Sequence, residues 1–146
     1  MSGVQTVAGL TLAVTASQPA TQDSAGYGAL SYDDVGEITT IGEYGKQFNL
    51  VTHNPIADPK TNKFKGSYDN GSLSMELAID TADTGQGILD AAVDSNSDYT
   101  FRVTRQDGEI DYFQGKIMSK TVNAGGVDEI LTSSINLEIT TDIVQA

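Results

Sequence analysis

The alternation in SLSMELAID (72–80) constrains this chain more than any other feature. Leu73, Met75, Leu77 and Ile79 fall on one side, and Ser74, Glu76 and Asp80 on the other. A period of two marks a strand with one buried face and one wet face. YTFRVTRQ (99–106) repeats it, with Tyr99, Phe101 and Val103 inward and Thr100, Arg102 and Thr104 outward. SINLEIT (134–140) sets Ile135, Leu137 and Ile139 against Asn136 and Glu138. Asp107-Gly108 offers the positive φ angles of a tight hairpin turn and predicts a return strand over 109–119. The segments 9–15 and 34–44 read as less regular strands.

One segment departs from this period. DTGQGILDAAVDS (83–95) places Ile88, Leu89, Ala92 and Val93 at helical spacing behind Asp83 or Thr84 as N-cap. Gly85 and Gly87 each weaken the first turn by about 1 kcal/mol relative to Ala. The pattern predicts a mainly β protein, a β-sandwich or β-barrel with one flanking α-helix. At 146 residues, a single domain over 1–146 is expected. A chain of this size buries roughly 68–70% of its unfolded surface and needs no staple.

The chain has no cysteine, which excludes disulfides, thiolate catalysis and zinc-thiolate sites and permits a reducing compartment. Its net charge of −12 is unevenly placed. Residues 1–45 carry five acids and no base, and residues 73–146 carry thirteen acids and four bases. Between them, GKQFNLVTHNPIADPKTNKFKGS (45–67) gathers Lys46, Lys60, Lys63 and Lys65, the single His53 and two of the three prolines. This stretch, extended to about 45–71, reads as a long inter-strand loop. The rest is a poor holder of nucleic acid, because phosphate binding depends on Lys and Arg displacing counterions. It suits a surface to which nucleic acid does not stick.

Catalytic and metal motifs fail on inspection. A Ser-His-Asp arrangement has only His53 to draw on, beside Asn54-Pro55 in a turn, where a solvent-facing loop histidine is the expected role. Carboxylate pairs abound but none has a distinctive context. Asp94, Asn96 and Asp98 open like a calcium loop, yet Tyr99 stands where Gly is required and Arg105 where Glu is required. GYG (26–28) and GQG (85–87) lack the third glycine of a dinucleotide fingerprint. Asn70-Gly71-Ser72, formally a glycosylation sequon, reads as the turn into strand 72–80. The segment 7–16 has no Lys or Arg before it, as a secretory signal would, and is too short to span a bilayer. No enzyme, cofactor, metal or membrane role is expected.

Taken in order, GLTLAVTAS, YDDVGEITTIGEYGKQFNLVTHNP, KGSYDNGSLSMELAID, the DTGQGILDAAVDS helix, YTFRVTRQDG and TSSINLEITTDIV resemble the major tail tube proteins of long flexible-tailed bacteriophages. The resemblance covers nearly all of 1–146 and rests on the order of segments, since none is a catalytic signature. It implies a β-sandwich flanked by a helix, hexameric rings whose strands merge into one continuous barrel, and rings stacked into a hollow tube through which DNA passes to the host. It implies as partners the same chain, tape measure protein, tail terminator and tail-tip proteins, with double-stranded DNA passing unbound. Location would be the virion tail, after synthesis in the bacterial cytoplasm. Some relatives carry a further C-terminal immunoglobulin-like domain, which is not expected after the last strand here.

Under the resemblance, Glu37, Glu76, Asp80 and Glu138 are candidates for the lumen wall, where acid would repel phosphate. Lys46, His53, Lys60, Lys63 and Lys65 are candidates for an inter-ring loop that meets the acidic surface of a neighbour; the competing role is an ordinary solvated loop. Two other functions compete. A β-sandwich binding module would expose an aromatic patch, but Trp is absent and the Tyr and Phe residues mostly fit core faces. A type VI-like secretion tube shares the fold and changes the biology.

Overall fold

The computed structural model describes residues 4–146. The expected strands assemble from the centre outward. β7 (Tyr99–Thr104) and β8 (Ile110–Asn123) form a hairpin with Phe101 opposite Phe113. The connecting turn spans three residues, closed by Arg105 N–H on Glu109 O at 2.8 Å. Only Gly108 takes a positive φ, 94°, so Asp107-Gly108 is not the two-residue turn expected. β1 (Thr11–Thr15) pairs with β7 and with β2 (Asp33–Val35). On the other side, β9 (Thr132–Ile139) pairs with the second half of β8 and with β6 (Ser72–Ala78), which pairs with β3 (Ile38–Ile41). The short β10 (Val144–Gln145) returns along the first half of β8. The order is β2-β1-β7-β8-β9-β6-β3, antiparallel throughout.

β8 is fourteen residues long because it serves both halves of the sheet. Its partner changes at Gly115, which is opposite Tyr99 on one side and Ile139 on the other. A Cβ at Gly115 would lie 2.6 Å from the Glu138 carbonyl oxygen, so any side chain here would force the strands apart. The inward faces of both halves share one core: Leu12, Val14, Phe101, Val103 and Phe113 from one, and Leu73, Leu77, Ile135 and Leu137 from the other. The mainly β fold expected from the alternation, a sandwich or barrel, is therefore present as one antiparallel sheet whose two halves share a core.

The helix is present as α2 (Thr84–Val93), capped by Asp83, whose carboxylate accepts the Gln86 N–H at 3.1 Å. It buries Leu89 and Ala92 in the core and packs on β8, β2 and β1. Gly85 is more than a weak helix former. A Cβ there would sit 2.3 Å from the Asp34 carbonyl oxygen, so the glycine allows α2 to lie against β2. Gln86 is buried and fully engaged: it accepts from Asp80 N–H and donates to the carbonyls of Gly36 and Ala78, each at 3.0 Å.

Three expectations need correction. The single strand read over 34–44 is broken at Gly36-Glu37, where Glu37 adopts φ 61°, a conformation that L residues enter at a cost. Thr100 points away from the core as expected, yet it is fully buried, because residues 17–32 cover that face. Its hydroxyl donates to Ser17 O at 2.7 Å. A short helix within this cover, α1 (Ser24–Gly28), lays Tyr27 on Tyr112 with ring centroids 5.2 Å apart. Finally, the 45–71 excursion is no irregular loop. It is a two-stranded hairpin of its own, β4 (Gln47–His53) and β5 (Asn62–Asp69), unpaired with the main sheet.

Candidate assembly surfaces

The β4–β5 hairpin has all but Asn62 and Gly66 exposed along its strands. Its register sets Leu50 opposite Lys65 and Thr52 opposite Lys63, with Phe48 opposite Tyr68 across a bulge. Phe48, Leu50, Lys63, Lys65 and Tyr68 therefore share one face, and Val51 and Phe64 share the other. Both faces are apolar and neither is covered: Leu50 is 66% exposed, Phe64 57%, and Ile56 in the turn is fully exposed. The Tyr and Phe residues are expected mostly on core faces, and Phe48, Phe64 and Tyr68 are instead on the surface. The missed signal is QFNLVTH and NKFKGSYD themselves, which alternate weakly because no core selects one side.

A lone hairpin is marginal in water. This one is held at its root from both sides. The chain entering it is fixed by Tyr44, whose hydroxyl donates to Asp111 at 2.5 Å; Arg105 binds the same carboxylate at 2.6 Å. Asp111 is buried, and the two donors compensate its desolvation. Burial, with the bond to Asp111 second, pushes the Tyr44 phenol up to about 12. The chain leaving it is fixed by Asp142, which accepts from Tyr68 at 3.0 Å and from the Asn70 amide at 3.2 Å. Those bonds, Asn70 first, hold the Asp142 carboxyl below its ordinary value. Along the hairpin, Lys46 sits 4.5 Å from the Tyr68 ring centre and Lys65 4.8 Å from that of Phe48. Exposed cation–π contacts of this kind contribute about 0.5–1 kcal/mol.

The five basic candidates are all here. Lys63 and Lys65 lie on one face, Lys46 at the root, and Lys60 in the turn, where its N–H meets Asp58 Oδ1 at 3.0 Å. His53 ends β4 opposite Asn62, exposed.

The second surface is the outer face of β3, β6, β9 and the end of β8. The cover over 17–32 lies on the other half, so this face carries its own side chains, mostly polar, with Met118 exposed at the β8 bulge and Lys116 opposite Glu138. Ser74 donates to Asn136 Oδ1 at 2.5 Å, and the Asn136 amide donates to Ser119 at 3.3 Å. Glu76 lies opposite Ser134, and Glu138 opposite Ser72, both on this face. Glu37 and Asp80 do not lie in strands. Glu37 occupies the β2–β3 turn, and Asp80 follows β6, its carboxylate accepting Ala82 N–H at 3.0 Å. An open groove of about 600 Å³ separates the hairpin root from this face, lined by Gly42, Tyr44, Gln47, Asp69 and Glu138.

Among the described residues, no group of His, Asp and Glu is spaced to hold a metal ion. No helix among them is long and apolar enough to cross a membrane.

No protein-family model and no curated protein matches the sequence. Solved structures do match in shape. A chain of the native gene transfer agent virion has a TM-score of 0.71 at 12% identity, over 98% of this chain and 99% of that one. The SPP1 tail tube gives 0.65 at 14%, over 93% and 75%. A chain of the anti-feeding prophage baseplate, 6-fold symmetrised, gives 0.68 at 9%, over 100% and 97%. What this chain shares with them, at such low identity, is a fold: that of tail tube subunits.

Proposed function

We propose that this chain is a structural subunit of the tail tube of a long flexible-tailed phage, six copies to a ring, with rings stacked into a hollow conduit for DNA. One observation carries the reading. An ordered hairpin, apolar on both faces and holding half of the chain's positive charge, stands clear of an acidic body. Such a hairpin is built to be covered by another molecule of opposite charge, and copies of the chain itself supply one. The six-fold symmetry named for the anti-feeding prophage neighbour supports the ring.

Glu76 and Glu138 are placed on the lumen side in this reading. Carboxylates among serines and asparagines offer DNA little counterion to release, and the one lysine opposite Glu138, Lys116, is paired with Asp98 at 3.0 Å. The hairpin, with Lys46, His53, Lys60, Lys63 and Lys65, makes the ring-to-ring contact. Tape measure, terminator and tail-tip proteins are the partners at the ends.

Purified protein at rising concentration, alone and with tail-tip complex, is expected to form tubes of six-fold rings by electron microscopy. Protein that stays monomeric at every concentration and salt would remove the reading. A likeness to chains of an extracellular contractile injection system's sheath and tube favours a second reading, the tube of a contractile or type VI-like injection apparatus. Recovery of the chain in DNA-filled virions, or in particles carrying a contractile sheath, separates the two.

A further inference from the structure

A second exposed apolar surface lies at the end of the main sheet far from the hairpin. Asn123 pairs with Thr132 to close the β8–β9 ladder, and residues 124–131 loop beyond it. Gly125 takes φ 59°, and Glu129 N–H meets Gly126 O at 3.1 Å. Val127 is 99% exposed, Ile130 73% and Val122 64%. Asp128 and Glu129 stand among them, and from Thr121 to Ala146 the chain has no Lys or Arg. None of these side chains joins the core.

The position of this tip relative to the β4–β5 hairpin is set by β6. The hairpin ends at Asp69, just before β6 begins at Ser72. The other end of β6, Ala78, pairs with Thr132 at the base of the tip. Seven strand residues at about 3.3 Å each separate the two by about 20 Å. One end of the sheet therefore presents apolar side chains among lysines, and the opposite end presents apolar side chains among acids. Two different, complementary patches on one chain make a head-to-tail contact between copies.

We infer that the 122–131 tip of one copy receives the β4–β5 hairpin of the next. Val127 and Ile130 cover Phe48 and Leu50, and Asp128 and Glu129 meet Lys63 and Lys65 on that same hairpin face. The inference rests on the stacking proposed above and names its receiving surface. Other acidic surfaces suit the hairpin less well. The Glu76 and Glu138 face is lined mainly by Ser and Asn, offers only Met118 as an exposed apolar side chain and sets Lys116 opposite Glu138, and Asp90 on α2 is already paired with Lys120.

Reciprocal charge reversal tests the contact. Asp128→Lys with Glu129→Lys is expected to leave circular dichroism unchanged and to weaken each contact about tenfold, abolishing tube growth by light scattering. Lys63→Glu with Lys65→Glu does the same, and all four changes together restore growth. Because the chain has no cysteine, Thr52→Cys with Ala124→Cys gives a clean second readout. Treated with a flexible bis-maleimide, tubes of this variant should yield a ladder of covalent oligomers, and either single variant should not. Tubes that grow at the normal rate with the tip reversed, or that give no ladder, overturn the tip as receiver and leave stacking intact. Failed rescue by the four changes together also overturns it. Wild-type protein that forms no tubes at all removes the stacking reading itself.

Discussion

β4–β5 and β6–β9 are strand pairs of the same size, seven residues against eight, both antiparallel. Their fates differ. β6 and β9 bury Leu73, Met75, Leu77, Ile135, Leu137 and Ile139, whereas β4 and β5 leave Phe48, Leu50, Val51 and Phe64 in solvent. Their charge differs too, since the hairpin stretch holds four lysines and β6 and β9 hold only acids. Equal backbone pairing thus supports two uses. In β6–β9 the apolar face closes the core, and in β4–β5 it remains in solvent, where the proposed contacts would use it. Stability and assembly should therefore respond to different residues.

The largest expected effect is on stability. Leu137→Ala should cost about 2–5 kcal/mol in urea unfolding of the unassembled subunit, since a filled core site becomes a cavity. Leu50→Ala should stay within about 0.5 kcal/mol, as an exposed site does. Equal losses would erase the distinction between the two pairs.

Next comes assembly. Reversing Lys60, Lys63 and Lys65 to Glu should leave melting unchanged and abolish stacking at low salt. Added salt should partly restore it as repulsion is screened. Each exposed pair contributes only about 0.2–1 kcal/mol, but a ring repeats it at every subunit. Growth at the normal rate in low salt would make these lysines ordinary solvated surface.

A smaller effect is expected on the outer face of β6–β9. Glu76→Lys with Glu138→Lys should permit tubes but slow DNA delivery in an infectivity assay, whereas Asp80→Lys, off that face, should not. Normal delivery by the double variant would separate this face from the lumen.

The subtlest effect is on how the two pairs are joined. Asp142 is held below its ordinary carboxylate value by bonds from Asn70 and Tyr68. A lowered folded value means the tether is intact above the ordinary range and is lost as pH falls through the folded one. Acid should therefore loosen the hairpin root, visible as shifts of Tyr68 and Asn70 in NMR spectra, and Asp142→Asn should reproduce them near neutrality. At the other extreme, Tyr44 at about 12 stabilises the fold fully below pH 10, and this contribution declines as pH rises through 12.

Legibility in the sequence follows the same division. β6, β7, β9 and α2 declare themselves because burial selects one side of each, and Asp83 caps where its position predicts. The hairpin declares itself poorly, because Phe48, Leu50, Val51 and Phe64 are distributed over both faces with no core to order them. The tethers were invisible for another reason. Tyr44 reaches Asp111 across sixty-seven positions and Tyr68 reaches Asp142 across seventy-four, and no local pattern encodes such a partner. The cover over 17–32 was hidden because Thr100 reads as an outward residue by parity, and nothing in its own strand tells that Ser17 lies over it. Glu76 and Glu138 were legible as outward acids by parity, whereas Glu37 and Asp80 fall just outside the strands that parity governs.

Strand β6 has one further consequence, through the two ends it separates. A column of subunits joined hairpin to tip has unlike termini: one offers bare cationic hairpins and the other bare anionic loops. Growth then has a direction, as it does in an actin-like polymer, and the proteins that start and stop it must be chemically distinct. An initiator with acidic apolar sockets would accept hairpins and ignore tips, and a terminator with basic apolar fingers would do the reverse. Exchanging the two caps should then leave each filament end uncapped, and with the proposed joint a single strand of the repeating unit would set the order of building.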